Sequence, residues 1–295
     1  MQKHLLLFLG FLAQLLQLSS NTFAQTKSVK HDNSLLWKIS GKDLSKPSYV
    51  FGTMHSICNE DYFFTTQMKQ AFEATQKLFL EIDLSDPTMI AQYQQHVMLT
   101  DGKQLRDYFS SEDEYNAFAE QIKNKLGIDA SMFQQFKPFF LISMIAMKSF
   151  TCENQSSYEM NLIEMAKKNK IDIAGLESSH AQLQIFDQMN NQDIKAMLLE
   201  SLQQIDEDQT EFKTMITHYK NQDIDALYNL ISSSPEFKGH EKELISGRNI
   251  QWMNTLLYEM KNTSCFVAVG AGHLAGEQGV LNLLTDKGYT VEAVK

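Results

Sequence analysis

Short apolar runs rich in β-branched and aromatic residues occur near both ends of the chain and predict strands. Runs 35–40 and 48–51 are separated by a turn containing glycine and proline, so they predict a hairpin. Each remaining run is bounded by polar or glycine residues, as buried strands usually are. These further predicted strands are residues 77–83, 171–177, 265–269 and 289–294.

Between these strands the apolar residues follow the spacing of amphipathic helices. Tyr115, Phe118 and Ile122 recur at three- and four-residue intervals before Gly127, which favours a helix end. Strands at both ends and helices between them indicate an α/β fold with a mixed or largely parallel sheet. We therefore expect one domain over 25–295 with a long helical insertion at about 103–235, followed by a long helix over 241–261.

The first 24 residues have the pattern of a signal peptide. A basic start precedes an apolar stretch from Leu5 to Leu16, and small residues follow before Ala24. We expect export to the periplasm or the extracellular space, without stable membrane insertion, since no later segment is long and apolar enough. The net charge of −10 argues against nucleic acid as a partner. The composition is compatible with a homo-oligomer as well as with a monomer.

Three cysteines are candidates for a disulfide, which export would permit. Cys265 alternates within an apolar strand and is most simply a small buried hydrophobe. Cys58 follows a glycine-containing turn, and Cys152 lies in a polar break between helices. We favour a Cys58–Cys152 bridge, although three thiols allow three pairings and the sequence does not choose between them.

The motif G-x-x-H occurs twice, each time at the end of an apolar strand. Gly52 leads to His55, and Gly270 leads to His273. Glycine lets the backbone turn sharply and approach a ligand closely, and the carboxyl ends of strands are where open α/β sheets bind ligands. A single histidine in such a position is most often only a turn residue. The repetition favours one site built from both ends of the chain.

Carboxylates near strand ends complete a candidate metal site. Glu81 interrupts an apolar strand, which is costly unless the charge is paired or metal-bound. Two imidazoles and a carboxylate are a usual minimal ligand set for a catalytic divalent cation, so we predict His55, His273 and Glu81 as ligands. Asp83 and Glu177 are secondary candidates, the first also readable as a solvated strand end and the second as a helix cap.

Arg248 and Asn249 fall on the apolar stripe of the predicted helix 241–261. Inward polar residues need partners. One interpretation is a salt bridge from Arg248 to a core carboxylate, Glu81 or Glu177. The other is a substrate-facing role in which Arg248 and Asn249 stabilise a developing oxyanion or bind a substrate carboxylate.

Six segments taken together resemble the TraB/GumN family, which is related to the Tiki metalloproteases. They are residues 36–40, 49–55, 80–83, 175–177, 248–249 and 266–274. The resemblance spans about 33–295 and implies an α/β fold shared with erythromycin esterases and haem-binding ChaN-like proteins. Its Tiki branch implies a divalent-metal-dependent peptidase, with His55, Glu81 and His273 matching the proposed active-site positions.

Two functions from different classes follow. The first is a metal-dependent hydrolase acting on a peptide or protein substrate: His55 and His273 would hold Mn²⁺, Zn²⁺ or Co²⁺, Glu81 would be a ligand or the base, and Arg248 and Asn249 would assist catalysis. The second is a non-catalytic periplasmic binding protein for a peptide or a tetrapyrrole in the same cleft. Metal content of the purified protein would discriminate between them.

Overall fold

The computed structural model describes residues 30–147, 152–204, 208–234, 237 and 239–295. The signal peptide predicted at 1–24 lies outside these residues. Within them, no helix is both long enough and apolar enough to span a membrane.

One sheet of six strands organises the described residues. Its strands are β1 (Leu36–Ser40), β2 (Ser48–Thr53), β4 (Lys77–Leu80), β6 (Asp172–Gly175), β7 (Cys265–Gly270) and β8 (Thr290–Ala293). They lie in the order β6–β4–β7–β2–β1–β8. The β2–β7, β7–β4 and β4–β6 pairs are parallel, whereas β1 is antiparallel to both β2 and β8. The predicted hairpin and the predicted mixed sheet are confirmed.

A short two-stranded ribbon lies outside this sheet. Its strands, β3 (Ile57–Cys58) and β5 (Gln155–Ser156), run antiparallel. The predicted disulfide between Cys58 and Cys152 is present, with the two Cα atoms 5.8 Å apart. Cys265 is a free, buried thiol, as expected for an apolar strand position. The ribbon therefore joins the segment that follows the first G-x-x-H motif to the segment that follows Cys152.

Helices connect the strands and cover the sheet. Their bounds are α1 (Thr66–Glu73), α2 (Met89–His96), α3 (Glu112–Leu126), α4 (Pro138–Ala146), α5 (Tyr158–Asn169), α6 (Ser179–Gln188), α7 (Asn191–Gln204), α8 (Asp208–Lys220), α9 (Ile224–Ser233), α10 (Gly247–Asn262) and α11 (Val280–Asp286). The end of α3 is set by Gly127, whose φ of 72° is the left-handed conformation that glycine adopts without strain.

The buried apolar side chains of the described residues form two clusters. The first surrounds the sheet and includes Phe51 and Phe266 from its central strands, and Tyr219 and Leu227 from α8 and α9 also belong to it. The second consists of residues between 105 and 202, mainly from α3, α4 and α7. Thus α8 and α9, although they fall within the expected helical insertion, pack against the sheet core that carries the site.

Candidate functional site

The two G-x-x-H motifs lie side by side because their strands are parallel neighbours. Thr53 at the end of β2 is paired with Gly270 at the end of β7. His55 follows β2, and His273 follows β7 within the short 3₁₀ turn Ala271–His273. Strand β4 lies on the other side of β7 and ends at Leu80, so Glu81 emerges at the same edge. The carboxyl ends of three adjacent parallel strands thus supply all three residues.

Glu81 is the common neighbour of the two imidazoles. Its Oε1 lies 4.0 Å from Nε2 of His55 and 3.8 Å from Nε2 of His273. The same oxygen accepts a hydrogen bond of 2.8 Å from the backbone N–H of Gly270. Glu81 is buried, and it follows the last residue of β4 instead of lying within the strand as the apolar pattern suggested.

Arg248 joins Glu81 to Glu177. Its Nη2 donates to Oε2 of Glu81 and to Oε1 of Glu177, and its Nε donates to the same Glu177 oxygen at 3.0 Å. Its Nη1 donates to the Leu244 carbonyl at 3.0 Å and lies 3.1 Å from Nε2 of His273. Of the two interpretations of Arg248, the structure contains the salt bridge to a core carboxylate, and Arg248 pairs with both Glu81 and Glu177.

A wide helical turn directly precedes Arg248. Residues Lys242–Ser246 form a π-helix, and α10 begins directly after it at Gly247. A Cβ on Gly247 would lie 2.5 Å from the carbonyl oxygen of Lys242, so only glycine allows this close approach. Such π-helical turns are frequent at functional sites. Here the turn precedes two successive buried polar residues, Arg248 and Asn249.

Asn249 holds the imidazole of His273. Its Nδ2 donates to the carbonyls of Gln278, at 2.9 Å, and His273, at 3.3 Å. Its Oδ1 must then be the acceptor for Nδ1 of His273, which lies 2.6 Å away. This network assigns the proton of His273 to Nδ1 and leaves Nε2 as an acceptor, which faces Glu81 and accepts a hydrogen bond from Nη1 of Arg248. Burial disfavours the imidazolium and lowers the pKa of His273 to about 3.

His55 is held in the same manner by a carboxylate. Its Nδ1 lies 3.0 Å from Oε1 of Glu159, which also accepts a 2.7 Å hydrogen bond from Thr53 Oγ1. Desolvation opposes protonation of His55, but the hydrogen bond to Glu159 and the charges of Glu159 and Glu81 outweigh it and raise its pKa to about 9. Because the His55 side chain is 67% exposed, the carboxylates outweigh desolvation in determining its pKa.

The carboxylates of the site are ionised. Burial would raise the pKa of Glu81, but the positive groups around it and the Gly270 N–H hold it well below its usual range. Since His273 is neutral, we attribute this chiefly to Arg248. Burial likewise opposes ionisation of Glu159, while its hydrogen bonds from His55 and Thr53 lower its pKa.

The secondary candidates have different surroundings. Glu177 follows β6, is buried beside Arg248, and joins the cluster through that ion pair. Asp83 is hydrogen-bonded within its own turn. Its Oδ1 accepts from the N–H and the hydroxyl of Ser85, at 2.9 and 2.6 Å. Asp83 therefore closes the turn that follows β4.

Glu159 and Gln182 contact the site residues although no sequence pattern marked them. Gln182 on α6 donates to Oε2 of Glu81 at 3.3 Å. Glu159 lies in the first turn of α5, more than 100 positions after His55. The signal that could have pointed to Glu159 was the expected Cys58–Cys152 bridge, which brings the chain segments of His55 and Glu159 together.

The donor set suits a divalent metal ion, with a spacing somewhat wider than a bound ion requires. Ligands about 2.1 Å from a tetrahedral ion lie about 3.4 Å apart, against 4.0 and 3.8 Å here. Among the described residues, no three histidine, cysteine or acidic side chains already have the spacing of a metal site. Yet both Nε2 atoms face one carboxylate oxygen, and each Nδ1 is held by an acceptor, as metal-ligating imidazoles usually are.

Gly270 keeps open the space between these donors. A Cβ at this position would lie 3.3 Å from Oε1 of Glu81, 3.7 Å from Cδ2 of His273 and 3.8 Å from Nε2 of His55. A side chain at this position would therefore occupy the space that faces all three side chains. The residues present fit a divalent ion in donor chemistry; to bind one, the donors would have to approach more closely than 4.0 and 3.8 Å, and the ion would replace the Arg248 contact with Nε2 of His273.

Fold and site together define an α/β protein with a polar cluster of two histidines and a buried carboxylate–guanidinium pair at the carboxyl edge of its sheet. The chain belongs to the TraB/PrgY/gumN family, whose sequence profile matches residues 35–293.

Several relatives of this chain are named as Tiki metalloproteases. It is 26% identical to Metalloprotease TIKI2 of Danio rerio, over 90% of this chain and 62% of that protein. It is 25% identical to Metalloprotease TIKI2 of Xenopus tropicalis, over 90% and 61%, and 23% identical to Metalloprotease TIKI1 of Homo sapiens, over 88% and 62%. The chain thus spans about three-fifths of the length of these relatives. No solved structure matches it.

Proposed function

We propose that this protein is a divalent-metal-dependent hydrolase that cleaves peptide bonds in a peptide or protein substrate. The observation that carries the proposal is the placement of two imidazole Nε2 atoms, from His55 and His273, against one oxygen of Glu81. Relatives named as metalloproteases support the same reaction class.

His55, His273 and Glu81 would hold the ion, and the donor types suit Mn²⁺, Zn²⁺ or Co²⁺. A divalent ion bound there would supply a water of lowered pKa and would polarise the substrate carbonyl. The low pKa of Glu81 makes it a weak base, so we assign it as a ligand in preference to a base.

Arg248 and Asn249 act through the ligands. Arg248 neutralises Glu81 and Glu177, which would otherwise repel one another at a buried site. Asn249 is fully buried, and its hydrogen bonds orient His273. Arg248 and Asn249 thus hold the ligands in place, in preference to contacting the substrate as an oxyanion-binding pair.

The exposures of the ligands indicate how substrate approaches. His55 is open to solvent, while Glu81 and His273 are buried behind it. A scissile carbonyl would therefore enter from the His55 side. We further propose that the mature protein is exported as a single domain over 25–295, which the Cys58–Cys152 bridge supports.

Metal analysis combined with peptide cleavage tests the proposal. The protein is purified without chelator, its bound metals are measured by mass spectrometry, and cleavage of a peptide library is followed with and without EDTA. We expect near-stoichiometric divalent metal and cleavage that EDTA abolishes and added Zn²⁺, Mn²⁺ or Co²⁺ restores. Ligand capture without cleavage, or cleavage indifferent to EDTA, would overturn the hydrolase assignment.

A further inference from the structure

Glu159 is a buried carboxylate whose charge no lysine or arginine of the described residues neutralises. It is 6% exposed. On Oε1 it accepts from Thr53 and faces Nδ1 of His55, and on Oε2 it accepts from Ser157 at 3.0 Å. Burying such a charge is costly unless it is paired. The side chain that lies against this carboxylate is the imidazole of His55, whose Nδ1 is 3.0 Å from Oε1.

The segment that carries Glu159 is fastened to the His55 turn at several points. The ribbon pairs Ile57 with Ser156, and the Cys58–Cys152 bridge closes the same two segments. A 2.7 Å hydrogen bond from Ser56 to Gln155 adds a further connection. The carboxylate therefore keeps its position relative to His55 because both chain segments are held together.

The start of α5 contributes to the same arrangement. Ser157 caps this helix by accepting a hydrogen bond from the N–H of Met160, and Glu159 lies in its first turn. Free N–H groups and the helix dipole favour a negative charge at such a position. Together with the hydrogen bonds from Thr53 and Ser157, this favours an ionised Glu159 facing His55.

The two histidines are thus oriented by different chemistry. Behind His273, the acceptor for Nδ1 is the neutral amide of Asn249, whereas behind His55 it is the carboxylate of Glu159. A carboxylate hydrogen-bonded to Nδ1–H fixes the ring orientation and increases the basicity of Nε2. The two G-x-x-H motifs are alike in sequence but not in their supporting residues.

We propose that Glu159 is the positioning residue of His55. Its carboxylate accepts a hydrogen bond from Nδ1–H and holds the ring with Nε2 directed toward Glu81. This inference rests on the proposed function, because it assigns Nε2 of His55 to the metal ion.

The experiment compares Glu159→Leu, Glu159→Gln and Ser157→Ala with the wild type, using Zn²⁺ as the probe. Zn²⁺ affinity is measured by competition with a chelator. Nitrogen-15 NMR of the histidines reports which ring nitrogen carries the proton and which binds zinc. Ser157→Ala is the matched control, because it removes the partner of Oε2 and weakens the helix cap but leaves the contact of Oε1 with His55.

We expect Glu159→Leu to lose Zn²⁺ affinity by about 10- to 100-fold, the usual effect of removing such a supporting residue. Glu159→Gln should recover part of this loss, since its amide oxygen can still accept from Nδ1. Ser157→Ala should lose much less Zn²⁺ affinity than Glu159→Leu, because Oε1 keeps its contact with His55. Urea unfolding of each metal-free variant reports its stability. If Glu159→Leu does not fold, the Zn²⁺ affinities of Glu159→Gln and Ser157→Ala are compared. A larger loss in Glu159→Gln supports the positioning role, and equal losses overturn it.

Failure of the inference is distinguishable from failure of the proposed function. Wild-type affinity in both Glu159 variants, or zinc bound through Nδ1 of His55, would overturn the positioning role. If the wild type binds no Zn²⁺, Mn²⁺ or Co²⁺, the proposed function fails. The Nδ1–H signal of His55 in metal-free protein, expected in the wild type and lost in Glu159→Leu, then decides whether Glu159 orients the ring.

Discussion

Arg248 binds one carboxylate oxygen of Glu81, and the other oxygen faces His55 and His273. Its Nη2 donates to Oε2, while Oε1 accepts from Gly270 and faces both imidazoles. The ion pair therefore sets the orientation of the carboxylate as well as its charge. Any substitution of Glu81 changes both the candidate ligand set and a buried ion pair.

Glu81→Gln should abolish metal-dependent cleavage and also destabilise the protein. Breaking a buried ion pair typically costs about 3–5 kcal/mol. Glu177 still compensates Arg248 here, so we expect a smaller loss, about 1.5–3 kcal/mol, as for one hydrogen bond to a charged group. Urea unfolding of metal-free protein measures the stability. Glu177→Gln is the control: it should lose similar stability yet keep zinc binding, and loss of both properties in it would contradict the separate role of Glu81.

The two histidine variants should differ in stability although both lose metal binding. His273 is buried against the Trp252 ring and bonded to Asn249, so His273→Ala should cost about 2–5 kcal/mol, as other large-to-small core substitutions do. His55→Ala removes a mostly exposed ring and so loses little packing; measured above pH 9, where the raised pKa of His55 no longer contributes, it should stay within about 1 kcal/mol of the wild type. Thermal unfolding of the metal-free variants above pH 9 measures both, and equal losses there would contradict the difference in packing.

The stability of the metal-free protein should fall as the pH rises through the alkaline range. Folding raises the pKa of His55 to about 9, so the folded state binds more protons than the unfolded one between pH 6.5 and 9. This contribution is complete below pH 6.5 and is lost as the pH rises through about 9. Urea midpoints between pH 6.5 and 10 measure the slope. His55→Ala should flatten it, and an unchanged slope would show that another group is responsible.

Removing the disulfide should destabilise the protein, and in the wild type only Cys265 should react as a free thiol. The double variant Cys58→Ser, Cys152→Ser loses a bridge across 94 positions, for which we expect about 2–4 kcal/mol. Thiol titration of unreduced wild type should find one reactive thiol after denaturation, that of buried Cys265, and none before. Three reactive thiols after denaturation would mean that the bridge does not form.

Gly270→Ala should reduce metal affinity while the fold persists. The added methyl group would lie within 3.8 Å of the candidate ligands, in the space that a bound ion and its water need. None of its predicted contacts is closer than 3.3 Å, so the strand should adjust with little loss of stability. Zinc affinity and urea unfolding measure the two effects. Wild-type affinity would mean that the ion does not occupy this space.

The linear pattern was sufficient for the elements that depend on local sequence. Apolar runs ending in glycine predicted β2 and β7, and the alternation of strands and helices predicted a mixed sheet. Three cysteines allow three pairings, and the bridge favoured from their surroundings, Cys58–Cys152, is the one present. Each of these properties is encoded within a short stretch of chain, where periodicity and turn chemistry act directly.

Only the tertiary structure decided how distant polar groups are paired. Arg248 could have paired with Glu81 or Glu177, and the order β6–β4–β7 brings both carboxylates to it. Glu159 reaches His55 because the ribbon and the disulfide join segments separated by about 100 residues. Such pairings depend on which strands are neighbours and on burial, which makes an unpaired charge costly. The sequence by itself determined the candidate ligands, and the packing of the sheet and its connections determined the residues that hold them.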